Sequence, residues 1–376
     1  VTQSHSYRPN KPKTARVSKT ILIIVGILFP LCAIELAAHL LPNLIPPEIK
    51  VVFQNEQTQA LKGLMSDEQL GYKYRPQLTD FAVPFENDQG QGVYTISTTS
   101  LGYSDVGFRD DGLTAEADTL VIGDSYASCA SVAMPECWVE LLEKAHQKDY
   151  ANLGVVGYCP QQELGMLTKY GLPLRPKRVV WVFFANDLDD AWRFDQFGTG
   201  GFKGGKFWQN PVKAWLAQNS ALYTLGAFFW FNRYLFYNLA TADGTTVPRD
   251  SNMVWWLTHT DLAIPEVAEG LALTQQTILI ASQQTQAAQA EFVVIILPFR
   301  EQIYAPANLQ PQLDQVNHTL LDFCRQNNLT CIDLLATLRE RARQEPESIY
   351  FRKDIHLNAR GNQLVAEAVG PQLLAQ

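Results

Sequence analysis

From residue 119 to the C-terminus, short apolar runs alternate with helical patterns, and this rhythm admits few architectures. The runs are "TLVIG" at 119, "ANLGV" at 151, "RVVWVFFAND" at 178, "EFVVIILPF" at 291 and "TCIDL" at 330, each bounded by Gly, Pro, Asn or Asp. Between them lie "ECWVELLEKAHQ", "QQELGMLTKYG", a helical stretch over roughly 262–290, "LQPQLDQVNHTLLDFCRQNN" and a last helix from about 359. Runs that are apolar throughout, without polar alternation, suit strands buried on both faces, and helices between them supply parallel crossovers. The expected fold is therefore α/β, a five-stranded parallel sheet between two helical layers. In such a sheet, ligands sit outside the carboxyl ends of the strands. The residues just after each run are thus the ones to read for chemistry.

The first run passes directly into Gly123-Asp124-Ser125. A strand that ends on a glycine turn exposes the following hydroxyl at the sheet edge, where a nucleophile is needed. Ser125 is the candidate nucleophile, with Gly123 and Asp124 supporting the turn. A base must serve it, and the chain has six histidines. His5 lies in a basic arm, His39 in an apolar run, and His146 and His318 in helical patterns. His259, in "WWLTHTD", could line a pocket. His356 lies on a polar loop beyond the fifth strand, two residues after Asp354. An acid so placed can accept from one imidazole nitrogen and leave the other facing the serine. Acyl transfer also needs donors for the oxyanion, worth roughly 10²–10³ in rate for one donor. The backbone N–H groups of Ser125 and Gly157 and the side-chain amide of Asn186 are available, with Gly154 as a rival to Gly157.

These four blocks, in this order, resemble the SGNH hydrolases, the GDSL esterase/lipase family, over roughly residues 119–376. Gly123-Asp124-Ser125 is similar to the first block, Gly157 to the glycine of the second, Asn186 to the third, and Asp354 with His356 to the last. The resemblance implies a flavodoxin-like three-layer α/β/α sandwich, a Ser125–His356–Asp354 triad, an oxyanion hole of Ser125, Gly157 and Asn186, and no metal or cofactor. Upstream, "LGYKYRP" and "GFRD" resemble membrane-anchored bacterial members. Two departures stand out. The third block usually reads Gly-x-Asn-Asp, whereas this chain has Phe184-Ala185-Asn186-Asp187. The aspartate precedes the histidine by two residues rather than three, closer to the alginate-acetyltransferase branch, which keeps transfer open beside hydrolysis.

Charge divides the chain. Arg8, Lys11, Lys13, Arg16 and Lys19 occupy residues 1–20, while the whole chain carries 38 acids against 30 bases. Such a body lacks the clustered bases that nucleic-acid binding requires. After the arm comes "ILIIVGILFPLCAIELAAHLL", residues 21–41, about the length that spans a bilayer, with Glu35 and His39 near its far end. Bases before it and acids after it predict an uncleaved transmembrane anchor with the body extracytoplasmic, periplasmic or on the cell surface. Pro42, Pro46 and Pro47 then begin a linker, and 42–118 read as linker and a small β-rich accessory segment. Residues 188–260 interrupt the rhythm with "GTGGFKGGKF" and "ALYTLGAFFWFNRYLFYNLA", read either as a helix buried against the domain or as a cap touching the membrane surface. With Cys32 in the anchor, five cysteines remain, Cys129, Cys137, Cys159, Cys324 and Cys331, and a Cys129–Cys159 bridge beside the site is one pairing to test.

The sequence thus points to a membrane-anchored serine esterase that hydrolyses or transfers an acyl group, O-acetyl included, of a carbohydrate or lipid ester. The alternative is a non-catalytic envelope scaffold that retains the fold, against which the intact Ser125, Asp354 and His356 argue.

Overall fold

The computed structural model describes residues 14–40, 62–87, 90–112, 117–199, 204–206, 209–231 and 252–375. Expectations for residues 1–13, for the linker prolines Pro42, Pro46 and Pro47, and for residues 232–251 of the insertion lie outside these. The chain divides into two units, Val1–Gln54 with Pro211–Asn232, and Asn55–Asn210 with Arg233–Gln376.

The larger unit begins with two antiparallel pairs, β1 (Leu64–Asp67) with β2 (Gly71–Tyr74), and β3 (Phe81–Asn87) with β4 (Gly90–Ile96). The five expected runs then form β5 (Thr119–Ile122), β6 (Tyr150–Asn152), β7 (Arg178–Phe183), β8 (Glu291–Ile296) and β9 (Thr330–Asp333). They make one parallel sheet in the order β6-β5-β7-β8-β9. Counted among themselves, the strands run 2-1-3-4-5, the flavodoxin-like order, and the switch point falls between β5 and β7.

Alternation along each strand feeds two cores. Val121, Val180, Val182, Val293 and Ile295 face one layer, where Trp138 and Leu142 of helix Trp138–His146 meet Leu364, Val365 and Val369 of helix Ala359–Leu374. Leu120, Ile122, Trp181, Phe183 and Val294 face the other, shared with Leu271 and Ile278 of helix Pro265–Ala287 and Leu320 of helix Gln315–Gln326. Tyr72, Tyr74, Ile96 and Phe108 of the accessory segment join this second core. Each such side chain withdrawn from water contributes about 1.5–3 kcal/mol, so the accessory strands are bonded to the sheet domain by ordinary core burial.

The cysteines correct one expectation. Cys129 is bridged to Cys137 and Cys324 to Cys331, leaving Cys159 free and buried and Cys32 free and exposed. Cys129 and Cys137 close one short loop with Cα atoms 5.3 Å apart, within disulfide reach, whereas Cys159 opens helix Pro160–Met166. The Cys129–Cys159 pairing is overturned.

In the smaller unit, helix Thr14–Leu40 carries the apolar run, and helices Pro211–Asn219 and Ala221–Phe231 carry the described part of the insertion. Glu35 accepts from Ala221 N at 2.8 Å, from Leu222 N at 2.9 Å and from the Ser220 hydroxyl at 3.1 Å. A carboxylate thus caps a helix N-terminus whose first N–H groups have no partner within their own helix. Among the described residues, no helix is long and apolar enough to cross a membrane, so the transmembrane anchor expected over 21–41 is not carried by the structure.

Candidate active site

The turn after β5 brings the first block to the sheet edge. A Cβ at Gly123 would stand 2.9 Å from the Ala127 Cβ and 3.0 Å from the Val182 Cβ, so only glycine lets this turn pack against β7. Asp124 Oδ1 accepts from Tyr126 N at 2.8 Å, Ser128 N donates to the Asp124 carbonyl at 3.0 Å, and Ala130 N donates to the Ser125 carbonyl at 2.9 Å. The loop beyond is fixed from outside: the buried Arg109 guanidinium donates to the carbonyls of Ser128, Cys129 and Val132. Cys129 and Ser131 there take positive φ, 52° and 70°, conformations that side-chain-bearing residues rarely adopt and that the surrounding bonds hold.

The loop after Tyr350 brings the last block to the same edge. A bridge between Tyr350 and Leu357 and a bond from Phe351 N to the His356 carbonyl close it into a tight bend. The Tyr126 hydroxyl donates to the Ile355 carbonyl at 2.6 Å, and the Tyr126 ring stacks on Phe184 and lies beside His356. From the accessory segment, Glu86 pairs with Lys353 at 3.0 Å and Phe85 packs edge-on against Phe351. A cleft of ≈ 670 Å³ opens beside this bend, lined by Phe85, Tyr94, Ser131, Glu345, Phe351 and Arg360.

His356 Nε2 lies 2.8 Å from Ser125 Oγ, and Nδ1 lies 2.5 Å from Asp354 Oδ1. An ionised carboxylate only accepts, so Nδ1 carries the ring proton and Nε2 is the open acceptor for the Ser125 hydroxyl. Burial pushes the Asp354 carboxyl up, but hydrogen bonds and charge from His356, with the Ser131 hydroxyl beside it, outweigh this and hold it below its ordinary value. An anionic Asp354 and a basic Nε2 can draw a proton from Ser125.

The opposite side is built from backbone and amide groups. Gly154 N donates to Asn152 Oδ1 at 3.0 Å, so the rival glycine has its N–H engaged. Gly157, at φ 72°, donates its N–H to no acceptor among the described residues. Asn186 precedes helix Asp187–Phe197, and its amide nitrogen donates to Asp190 at 2.9 Å and to Asp124 at 3.2 Å. Its Oδ1 is buried without a partner among the described residues. Burial pushes Asp190 up to about 8, with the Asp189 charge adding to it. Burial likewise raises Asp187 and Glu163, with the Asp124 charge adding to each.

Gly123, Asp124 and Ser125 follow β5, Gly157 follows β6 and Asn186 follows β7, while Asp354 and His356 come to Ser125 from the loop after Tyr350. Two other histidines find other company: His259 stacks on Trp255, and His146 bonds the Tyr150 hydroxyl at 2.7 Å. Among the described residues, Asp111, Glu140 and Glu143 are close enough to share a cation, and none of them belongs to this constellation. The sequence reading missed Arg109, Tyr126 and Asp190. For Asp190 a signal existed: four residues beyond Asn186 on a helix, it shares that residue's face.

The model of the GDSL-like Lipase/Acylhydrolase family matches residues 121–364. No curated protein matches the chain. Among solved structures, a member of the lipolytic protein G-D-S-L family from Veillonella parvula is similar at 14% identity, over 67% of this chain and 94% of its own, with a TM-score of 0.38. A catalytic mutant of Axe2, an acetylxylan esterase from Geobacillus stearothermophilus, is similar at 13% identity, over 69% of this chain and 95% of its own, with a TM-score of 0.41.

Proposed function

Since the chain belongs to the GDSL-like lipase/acylhydrolase family, an esterase and acylhydrolase family, we propose that Ser125, His356 and Asp354 act as its catalytic triad on an acyl ester of a carbohydrate or lipid. The observation that carries this is the line from Asp354 through His356 to Ser125, with bonds of 2.5 and 2.8 Å. Ser125 Oγ attacks the ester carbonyl carbon while its proton passes to His356 Nε2. Asp354 holds the imidazolium that forms. The tetrahedral oxyanion takes hydrogen bonds from the N–H groups of Ser125 and Gly157 and from Asn186, which keeps its bond to Asp190 and turns its longer bond from Asp124 to the substrate. Collapse breaks the ester C–O bond, and His356 returns its proton to the leaving alcohol oxygen. Water, deprotonated by His356, then attacks the acyl-enzyme, releasing the carboxylic acid and restoring Ser125. A hydroxyl acceptor in place of that water makes the same chemistry a transfer, and the two-residue Asp354–His356 spacing favours keeping this arm in view.

The same reading places the body outside the cytoplasm on an anchor formed by residues 21–41. Five bases precede that run, and Ile21, Leu22, Ile23, Ile24, Leu28 and Phe29 are exposed on its helix. Recovery of the full chain in the membrane fraction after alkaline washing tests it; release by the wash removes the anchor.

Hydrolysis of p-nitrophenyl acetate beside p-nitrophenyl palmitate, with Ser125→Ala as control, tests the activity. Ser125-dependent turnover is the expected result, and the preferred chain length defines the acyl pocket. A folded protein that neither turns over ester nor takes a fluorophosphonate label at Ser125 is the scaffold instead.

A further inference from the structure

The accessory segment reaches the site through one side chain. Tyr72, on β2 within "LGYKYRP", is buried, and its hydroxyl lies 2.6 Å from the Gly157 carbonyl oxygen and 3.0 Å from that of Val156. A phenol has one proton, so the two carbonyls share a single donor. The Val156 carbonyl and the Gly157 N–H are the two ends of one peptide plane, and in a trans peptide they point in opposite directions. A group that fixes the carbonyl therefore also fixes where the N–H aims. The shorter contact is to the Gly157 carbonyl, so the hydroxyl holds the peptide planes on both sides of Gly157.

Gly157 needs such a guide. At φ 72° it sits where backbone freedom is greatest, and among the described residues nothing accepts its N–H. Tyr72 itself is held in place. Its carbonyl accepts from the Tyr158 hydroxyl at 2.5 Å, its ring meets the Tyr158 ring edge-on, and next to it Gln162 Nε2 donates to the Leu70 carbonyl at 2.6 Å. The adjoining Lys73 is anchored to Asp67 and Asp105 at 3.0 and 2.8 Å. We propose that Tyr72 is a positioning residue of the oxyanion hole: its hydroxyl, set between the carbonyls on either side of Gly157, fixes both flanking peptide planes so that Gly157 N–H donates to the oxyanion. This rests on the reading of Gly157 as an oxyanion donor. It gives the accessory segment a part in the reaction beyond packing.

Tyr72→Phe in the full chain, assayed on p-nitrophenyl acetate, tests the proposal. Loss of one guide of a donor is expected to lower kcat about tenfold, with KM within about twofold. The acidic limb of the pH–rate profile should stay in place, because the Asp354–His356–Ser125 line is untouched. Affinity for a trifluoromethyl ketone, which forms a tetrahedral adduct with Ser125, should fall by the same factor as kcat/KM. A role in packing alone lowers the melting temperature without that proportionality. Should Tyr72→Phe fail to fold, 3-fluorotyrosine at position 72 keeps the shape and makes the hydroxyl a stronger donor, and kcat should rise. A folded variant with unchanged kcat and unchanged adduct affinity overturns the proposal. A wild-type chain that neither hydrolyses ester nor labels at Ser125 overturns the esterase reading itself, and the role of Tyr72 with it.

Discussion

The two sides of the site around Ser125 are made differently. On the proton-relay side, three side chains meet directly, His356 Nε2 at 2.8 Å from Ser125 and Nδ1 at 2.5 Å from Asp354. On the side proposed to hold the oxyanion, the candidate donors are backbone N–H groups and an amide that already serves Asp124 and Asp190. The acids of the two sides also differ in charge. Asp354 is held below its ordinary value by His356 despite its burial, whereas burial drives Asp190 up to about 8. Both carboxyls are buried, but hydrogen bonds from His356 hold Asp354 down, whereas burial and the Asp189 charge raise Asp190 despite the nearby Arg193 and the bond from Asn186.

The relay side should break first and furthest. Ser125→Ala should lower kcat for ester hydrolysis by roughly 10⁵–10⁶-fold, and His356→Ala by a similar factor, since the members act as a unit. Asp354→Asn should cost roughly 10⁴-fold, because the wrong imidazole nitrogen then carries the proton; steady-state kinetics at saturating ester measures both. If the Asp354 variant loses less than Asn186→Ala, the division drawn between the two sides is wrong. Asn186→Ala should cost roughly 10²–10³ in kcat with KM little changed, as for one oxyanion donor. An unchanged kcat would show that the amide stays with its two carboxylates and never turns to the substrate.

Smaller effects sharpen the contrast. The Cys129–Cys137 bridge, spanning a sequence separation of 8, should contribute about 2–3 kcal/mol by closing a short loop. Cys137→Ser should therefore lower the melting temperature by several degrees while Arg109 keeps the loop carbonyls in place; intact mass with and without reductant checks the pairing itself. The pH dependence separates the acids. Asp190 has a folded value of about 8 against an ordinary 3.8, so between those values the unfolded chain is ionised there and the folded one is not. Its contribution to stability consequently falls as pH rises from 3.8 to about 8 and is constant above. Asp190→Asn, which keeps an acceptor for Asn186, should raise the melting temperature more at pH ~9 than at pH ~5. Asp354, with its value depressed, contributes stability that is present above its ordinary 3.8 and lost as pH falls through its folded value. The stabilisation lost in Asp354→Asn should accordingly shrink in acid, and calorimetry across pH distinguishes the two signs.

Much of the relay side was legible because it depends on residue type and on topology. A serine after the first parallel strand is carried to the carboxyl edge of the sheet by topology, and a D-x-H after the fifth offers the residue types that can serve it there. The disulfides were not legible, because five cysteines permit several pairings until the fold brings Cys129 to Cys137 and Cys324 to Cys331. Arg109, within the "GFRD" that drew attention on resemblance alone, was visible as a motif but not as the clamp on the Ser128, Cys129 and Val132 carbonyls.

By itself the sequence determined the parallel sheet, the strand ends that bear Ser125, Gly157 and Asn186, and the pairing of Asp354 with His356, since periodicity and short-range spacing survive without coordinates. Only the tertiary structure decided that the Gly154 N–H is engaged while that of Gly157 meets no acceptor among the described residues, that Asn186 is held between two acids, and that Tyr72 touches the Gly157 loop from 85 residues away. The physical reason is that a side chain's chemistry is written in its residue type, whereas the direction of a backbone N–H is set by the peptide plane, and that plane is fixed by whatever the rest of the fold brings against it.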